Sequence, residues 1–141
     1  MSQQSKNTPS ALTTCLAEVL AIDNARAKAT AVRSVVERWN NREFAHLGST
    51  PPPDRPGRPA LPELRPPRDV PRRRITKSAG GRIALIHAIA HIELNAIDLA
   101  LDMACRYVAH SLPDDFYTDW LSVADDEARH FLMLADLLTA M

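Results

Sequence analysis

The 141-residue chain is 45% hydrophobic, 24% charged and 5% aromatic, which is enough apolar material for one globular domain and too much for a disordered chain. Two cysteines, Cys15 and Cys105, cannot build a disulfide framework, and residues 1–10 are polar with no apolar run of the secretory kind, so a reducing, cytoplasmic setting is expected. The 17 basic and 17 acidic residues balance only on average: residues 1–82 hold 15 Lys and Arg against 7 Asp and Glu, a net of +8, and residues 83–141 hold 2 against 10, a net of −8. A zero total therefore excludes neither an anionic partner for the first half nor a cation for the second.

In chain order, residues 9–39 are expected to form two short helices, with Thr8 as N-cap and Pro9 in the first turn. Leu12, Leu16, Val19 and Leu20 recur at helical spacing, and Ala25, Ala29, Val32, Val36 and Trp39 do so again after a weak point at Asp23 and Asn24. These are core-facing stripes, Cys15 included, with no chemistry of their own.

Residues 51–71 carry 9 of the chain's 11 prolines, interleaved with Arg55, Arg58, Arg65 and Arg68 and followed by Arg72, Arg73 and Arg74. So many missing backbone donors rule out helix and sheet, leaving an extended polyproline II segment that reaches roughly 65 Å at about 3.1 Å per residue. It reads as a strap tying the N-terminal helices to the acidic second half. The competing readings are a ligand for a proline-binding groove and a phosphate-binding arm for nucleic acid; the absence of stacking aromatics between Pro51 and Arg74 weighs against the latter.

Residues 83–109 contain neither proline nor glycine and are dominated by Ala, Leu and Ile, so a helix of about 27 to 30 residues is expected. The longest apolar window, 83–92, is broken by His87 and His91 and is short of the roughly 20 residues a membrane crossing needs, so no membrane span is expected. Gly80 and Gly81 read as a turn. Ser111, Leu112, Pro113 and Asp114 supply a break, with Ser111 or Asp114 as cap, and a second long helix runs to near Met141. A short turn between two long helices makes an antiparallel hairpin. The expected fold is thus all-α: a helical segment over 1–47, an extended linker over 48–77 and a helical hairpin over 78–141.

Chemistry sits where apolar residues belong. Steps of three and four give a first seam of Ile83, Ile86, Ala90, Glu93, Ile97, Ala100, Ala104 and Tyr107, and a second of Phe116, Trp120, Val123, Glu127, His130, Leu134 and Leu137. Burying such carboxylates is costly unless something compensates them, and a cation does so. Glu93 lies 19 residues before Leu112 and His130 lies 18 after it. At about 1.5 Å rise per residue both are within roughly 28 Å of the turn, at one level. The spacing of Glu127 and His130 puts both on one helical face, facing Glu93. Two carboxylates and an imidazole suit Fe or Mn, with Zn as an alternative.

His87 and His91, also spaced for a metal pair, are turned about 200° from Glu93 at 100° per residue and align with Asn95, Asp98, Asp102 and Arg106 in a polar stripe. A hydrogen-bonded second shell or a contact for the basic strap accounts for that stripe better than a second metal site. Asp125 and Asp126 are expected to meet solvent or the strap, His46 and His110 to lie in a loop or at a helix end, and Cys105 to be an inert thiol.

The stretches 66–72 (PPRDVPR), 81–100 (GRIALIHAIAHIELNAIDLA) and 116–131 (FYTDWLSVADDEARHF) closely resemble an uncharacterised ferritin-like domain-of-unknown-function family, and the resemblance extends over most of the chain. In the fold it implies, four long helices surround a di-metal site with one Glu from each of two helices and Glu-x-x-His from each of the others. Glu93 would match a lone-Glu helix, and Glu127 with His130 a Glu-x-x-His helix. Members of the family continue into a second helix pair, so the resemblance implies a chain shortened to half of the ligand set. A homodimer about a two-fold axis would rebuild four Glu and two His; otherwise the chain is an inactive fragment.

Three functions follow as expectations. The first is a ferritin-like di-iron oxidase or hydroxylase, as the resemblance implies. The second is an RNA-directed relative, since some ferritin-like proteins hydroxylate modified tRNA and the basic first half could hold phosphates. The third is a non-catalytic helical protein whose seam carboxylates pair with Arg72, Arg73 and Arg74.

Overall fold

The computed structural model describes residues 10–72, 74 and 76–141, and among them the regular structure is helical, with one isolated bridge between Ala11 and His46 in place of any strand. Helix α1 spans Leu12–Leu20, α2 Ala25–Asn40, α3 Ala79–Arg106 and α4 Asp114–Ala140, with single 3-10 turns at Pro67–Asp69 and Val108–His110. One core runs through all four helices, from Leu12, Leu16 and Leu20 through Val32 and Val36 to Ile97, Leu101, Leu121 and Phe131.

The predicted cap at Thr8 and Pro9 lies outside the described residues. Ala11 stands at the N-cap of α1 and its side chain caps nothing; Leu12 N and Thr13 N donate instead to the carbonyls of His46 and Leu47, at 3.1 and 2.8 Å. A returning loop thus satisfies the orphan donors of the first turn. The weak point at Asp23 and Asn24 is a cap: Asn24 Oδ1 accepts from Ala27 N at 2.8 Å and starts α2.

Residues 51–66 form neither helix nor strand, as their prolines require, but the expectation for 51–71 fails at its end, where Pro67–Asp69 make a 3-10 turn with Pro67 in the first position, which needs no N–H there. Their course is fixed at Gly57, whose N–H donates to Leu20 O at 2.7 Å and whose carbonyl accepts from Lys28 Nζ at 2.7 Å. A Cβ at this position would lie 2.4 Å from Ala21 O, so the backbone approaches the α1–α2 turn more closely than any side chain permits. Among the described strap arginines, Arg58 reaches the acidic half through Asp98 at 3.0 Å, whereas Arg65 and Arg68 pair locally with Glu63 and Asp69.

The hairpin forms with shifted ends. Gly80 and Gly81, read as a turn, belong to the first turn of α3, because Ser78 caps the helix by accepting from Gly81 N at 3.1 Å. At the other end Ser111 is a left-handed residue (φ 52°) that closes the 3-10 turn and does not cap α4, and Pro113 precedes α4 with Asp114 and Asp115 in its first turn, where carboxylates complement the helix dipole.

The buried stripes differ from the expected seams. On α3, Ala90, Ile97, Ala100 and Ala104 are buried as expected, joined by Leu94 and Leu101, while Ile83 and Tyr107 are exposed. On α4 the buried residues are Tyr117, Leu121, Ala124, Ala128 and Phe131, one position beyond the expected stripe and so about 100° around the helix. The cause is a second neighbour: α4 packs against α2 as well as α3, and its buried face points between them. Glu127 and His130 therefore sit at the rim of the packed face, with Val123 and Leu137 exposed beside them.

Helix α3 also qualifies the membrane expectation. At 28 residues it is long and apolar enough to cross a bilayer by length and composition alone, which is weak evidence because core helices of soluble proteins pass the same test.

Candidate metal centre

Glu93 on α3 and Glu127 and His130 on α4 meet at the depth that the hairpin register predicts. His130 Nδ1 lies 3.1 Å from Glu127 Oε2 and 3.6 Å from Glu93 Oε2, and one donor atom from each residue lies within 4.8 Å of the others. Among the described residues this is the one group of three or more His, Cys, Asp or Glu side chains so arranged. The carboxylates are mostly covered and the imidazole is half exposed.

Their protonation follows from mutual proximity. Hydrogen bonding to Glu127 raises the pKa of Glu93, with partial burial and the Glu127 charge acting in the same direction. Glu127 is held below the ordinary carboxylate value by accepting from Glu93 and by His130. Its carboxylate in turn raises the pKa of His130 through their hydrogen bond, against the effect of burial, with the Glu93 charge adding to the rise. Two carboxyl groups forced together thus move apart in proton affinity, Glu93 upward and Glu127 downward. The partners of Glu93 and Glu127 are each other and His130, where a pairing with strap arginines was one expectation; Arg73 of that trio lies outside the described residues.

The remaining candidates are placed elsewhere. His87 and His91 stack edge to face at 4.9 Å beneath the strap, away from the cluster. The polar stripe does meet the strap: Arg58 bonds Asn95 and lies 3.0 Å from Asp98. Asp125 pairs with Arg33 of α2 at 3.3 Å and with Arg129, and Asp126, half exposed to solvent as expected, bonds Arg129; among the described residues neither pairs with the strap. Cys105 is buried, donates to Thr50 O at 3.1 Å and has its thiol pushed up to about 11 by burial, which makes it unreactive.

One polar constellation was not anticipated. Lys28, at 1% exposure, donates to Asp98 Oδ1 at 2.8 Å and to Gly57 O, with Arg58 completing a buried cluster that joins α2, the strap and α3. Burial raises the pKa of Asp98, against the lowering effects of Lys28 and Arg58. The signal available in the sequence was a lysine at a core-spaced position of α2, one residue before Ala29.

A helical hairpin carrying a carboxylate–imidazole cluster on its open side defines the class of protein to which comparison applies. Residues 21–141 match the model of the family described as "Protein of unknown function (DUF455)", and the chain belongs to that family. It is also 40% identical over 88 residues to an uncharacterized protein of Haemophilus influenzae, a match that covers 59% of this chain and 30% of that protein. The chain therefore spans less than a third of this relative's length. No solved structure matches.

Proposed function

We propose that the chain forms half of a ferritin-like carboxylate metal centre, in which Glu93, Glu127 and His130 bind a first-row transition ion and a second copy of the hairpin supplies the other half. The observation that carries this reading is the convergence of three donor atoms within 4.8 Å from two helices, at a place where His130 is half exposed. The donor set fits the ion: the two carboxylates crowd one another, which raises the pKa of Glu93, so a cation there relieves their repulsion, and the mixed oxygen and nitrogen donors favour Fe or Mn, with Zn as the alternative. A two-fold pair would place four Glu and two His around two metals, the ligand count of di-iron carboxylate bundles.

On this reading the residues of this chain have distinct tasks. Glu93 and Glu127 supply anionic oxygen and draw the ion between α3 and α4, while His130 supplies a neutral nitrogen once it has given up its proton. An iron pair, when bound, would supply oxidase or hydroxylase chemistry with dioxygen, the activity implied by the ferritin-like resemblance.

The test is to purify the full chain with added Fe(II) or Mn(II), then measure mass by light scattering and metal per chain for the wild type and Glu127→Ala. The expected result is about one metal per chain in a dimer, lost in the variant. A metal-free monomer overturns the proposal.

A further inference from the structure

We infer that the second copy packs antiparallel to the hairpin, about a two-fold axis that crosses α3 and α4 at the level of Glu93, and that Arg82 of each copy pairs with Asp119 of the other. The inference rests on the proposed two-copy metal centre and adds to it the orientation of the partner and the contacts that select it.

Helix periodicity places the two charges. Arg82 stands 11 residues before Glu93 on α3, and Asp119 stands 11 residues before His130 on α4. Eleven residues are close to three helical turns, so each charge lies within about 20° of the ligand it precedes, on the same face of its helix, and about 16 Å from it along the axis. The two helices run in opposite directions, so the displacements are opposite as well: Arg82 lies toward the start of α3, and Asp119 lies toward the connection between α3 and α4. The ligand-bearing face therefore carries a positive charge at one end and a negative charge at the other, roughly 33 Å apart.

Both charges are available to a partner. Arg82 and Asp119 are exposed, and among the described residues neither side chain has an ion-pair or hydrogen-bond partner. The face between them is apolar or self-neutralised. On α3 it bears Leu85, Ile86 and Ile89, and on α4 Ser122, Val123 and Asp126, the last bonded to Arg129. Exposed Lys77 just before α3 and exposed Asp115 in the first turn of α4 extend the two ends with the same signs.

Identical faces can meet about either of two axes. An axis along the hairpin brings each end against its own copy, Arg82 beside Arg82 and Asp119 beside Asp119. An axis across the hairpin at the level of Glu93 gathers the same four Glu and two His, but sets Arg82 of each copy at the level of Asp119 of the other, and two-fold symmetry makes this contact twice. Like charges opposed across an interface reject an arrangement and opposite charges fix its register, so the crosswise axis is selected.

The experiment follows dimerisation of the full chain with Mn(II) by light scattering over a dilution series, for the wild type, Arg82→Asp, Asp119→Arg and the double variant, with circular dichroism as the control for folding. Each single variant is expected to weaken the dimer about tenfold, and the double variant, which rebuilds both pairs with reversed sign, to return to within about twofold of the wild type. Such a rescue cannot arise inside one chain, where the two residues are roughly 33 Å apart. A wild-type monomer overturns the two-copy metal centre and this orientation together. A wild-type dimer whose single variants dimerise undiminished, or whose double variant is not rescued, overturns the orientation alone. Mild oxidation gives a second reading, because Cys15 and Cys105 are buried. A cross-link formed on mixing Arg82→Cys with Asp119→Cys supports the crosswise axis, and a cross-link within either variant alone overturns it.

Discussion

At the scale of single residues, the cluster of Glu93, Glu127 and His130 is governed by competition for protons. A metal ion needs His130 neutral and both carboxylates ionised, but Glu127 raises the pKa of His130 and also that of Glu93. Metal affinity is therefore expected to climb as pH rises through the raised pKa of His130, with release of protons measurable by calorimetry in buffers of different ionisation enthalpy. A pH-independent affinity between pH 6 and 8 would contradict this. The metal-free protein has the opposite dependence. Because the folded pKa of His130 lies above its unfolded value, its contribution to stability is complete below about pH 6.5 and is lost as pH rises through the folded value. His130→Gln should accordingly lower the melting temperature more at pH 5.5 than at pH 8.5. The difference will be small, since pairs this open to solvent contribute at most about 1 kcal/mol.

At the scale of elements, the strap and α2 depend on one another through charge. Lys28 is buried with its ammonium on Asp98 and Gly57 O, so Lys28→Met removes the main partner of a carboxylate that burial already disfavours. Breaking a buried pair in this way costs roughly 3 to 5 kcal/mol. Arg58 keeps part of the compensation, so the low end of that range is expected in urea denaturation, and an unchanged midpoint would show the cluster to be dispensable. Gly57→Ala is expected to destabilise by about 1 to 3 kcal/mol, as overpacking does, because its Cβ would meet Ala21 O at 2.4 Å and must displace the strap or the α1–α2 turn.

The same two elements show what could be read from the sequence. The prolines kept most of 51–71 out of regular structure, with only the 3-10 turn at Pro67–Asp69 against the expectation, and the 3.6-residue period located α1 to α4, because backbone chemistry and helix geometry are local properties. The depth of Glu93 against His130 was legible for the same reason, since a tight turn fixes the register of a hairpin. The rotation of α4 was not. Whether Glu127 or Ala128 is buried depends on α2 arriving from more than 80 residues away to share the contact with α3, and no pattern within α4 encodes that. Lys28 stands at a core-spaced position of α2, but its partners lie 29 and 70 residues on, so nothing near it in sequence shows what would pair with it.

At the scale of the whole molecule, the open side of the hairpin sets the terms for assembly. Ile92 is 62% exposed, Leu99 58% and Met133 69%, and at 100° per residue they flank Glu93 and Glu127 on the side away from α1 and α2. On the proposed reading, a helix pair from a second copy would cover these apolar side chains beside Glu93, Glu127 and His130, and would exclude water from an ion held there. In a two-fold dimer every substitution enters the interface twice, so Met133→Glu brings two carboxylates into an apolar contact and should shift the protein from dimer to monomer in light scattering. Because Met133 is exposed in the single chain, the variant should keep its helical circular dichroism and melt within about 0.5 kcal/mol of the wild-type monomer. Metal binding provides the decisive arm. If the second copy supplies ligands, Met133→Glu must weaken metal affinity although none of Glu93, Glu127 and His130 has changed. If instead the variant is monomeric and binds metal as tightly as the wild type, each hairpin holds its ion alone, and the face around Ile92 and Met133 has no part in the metal site.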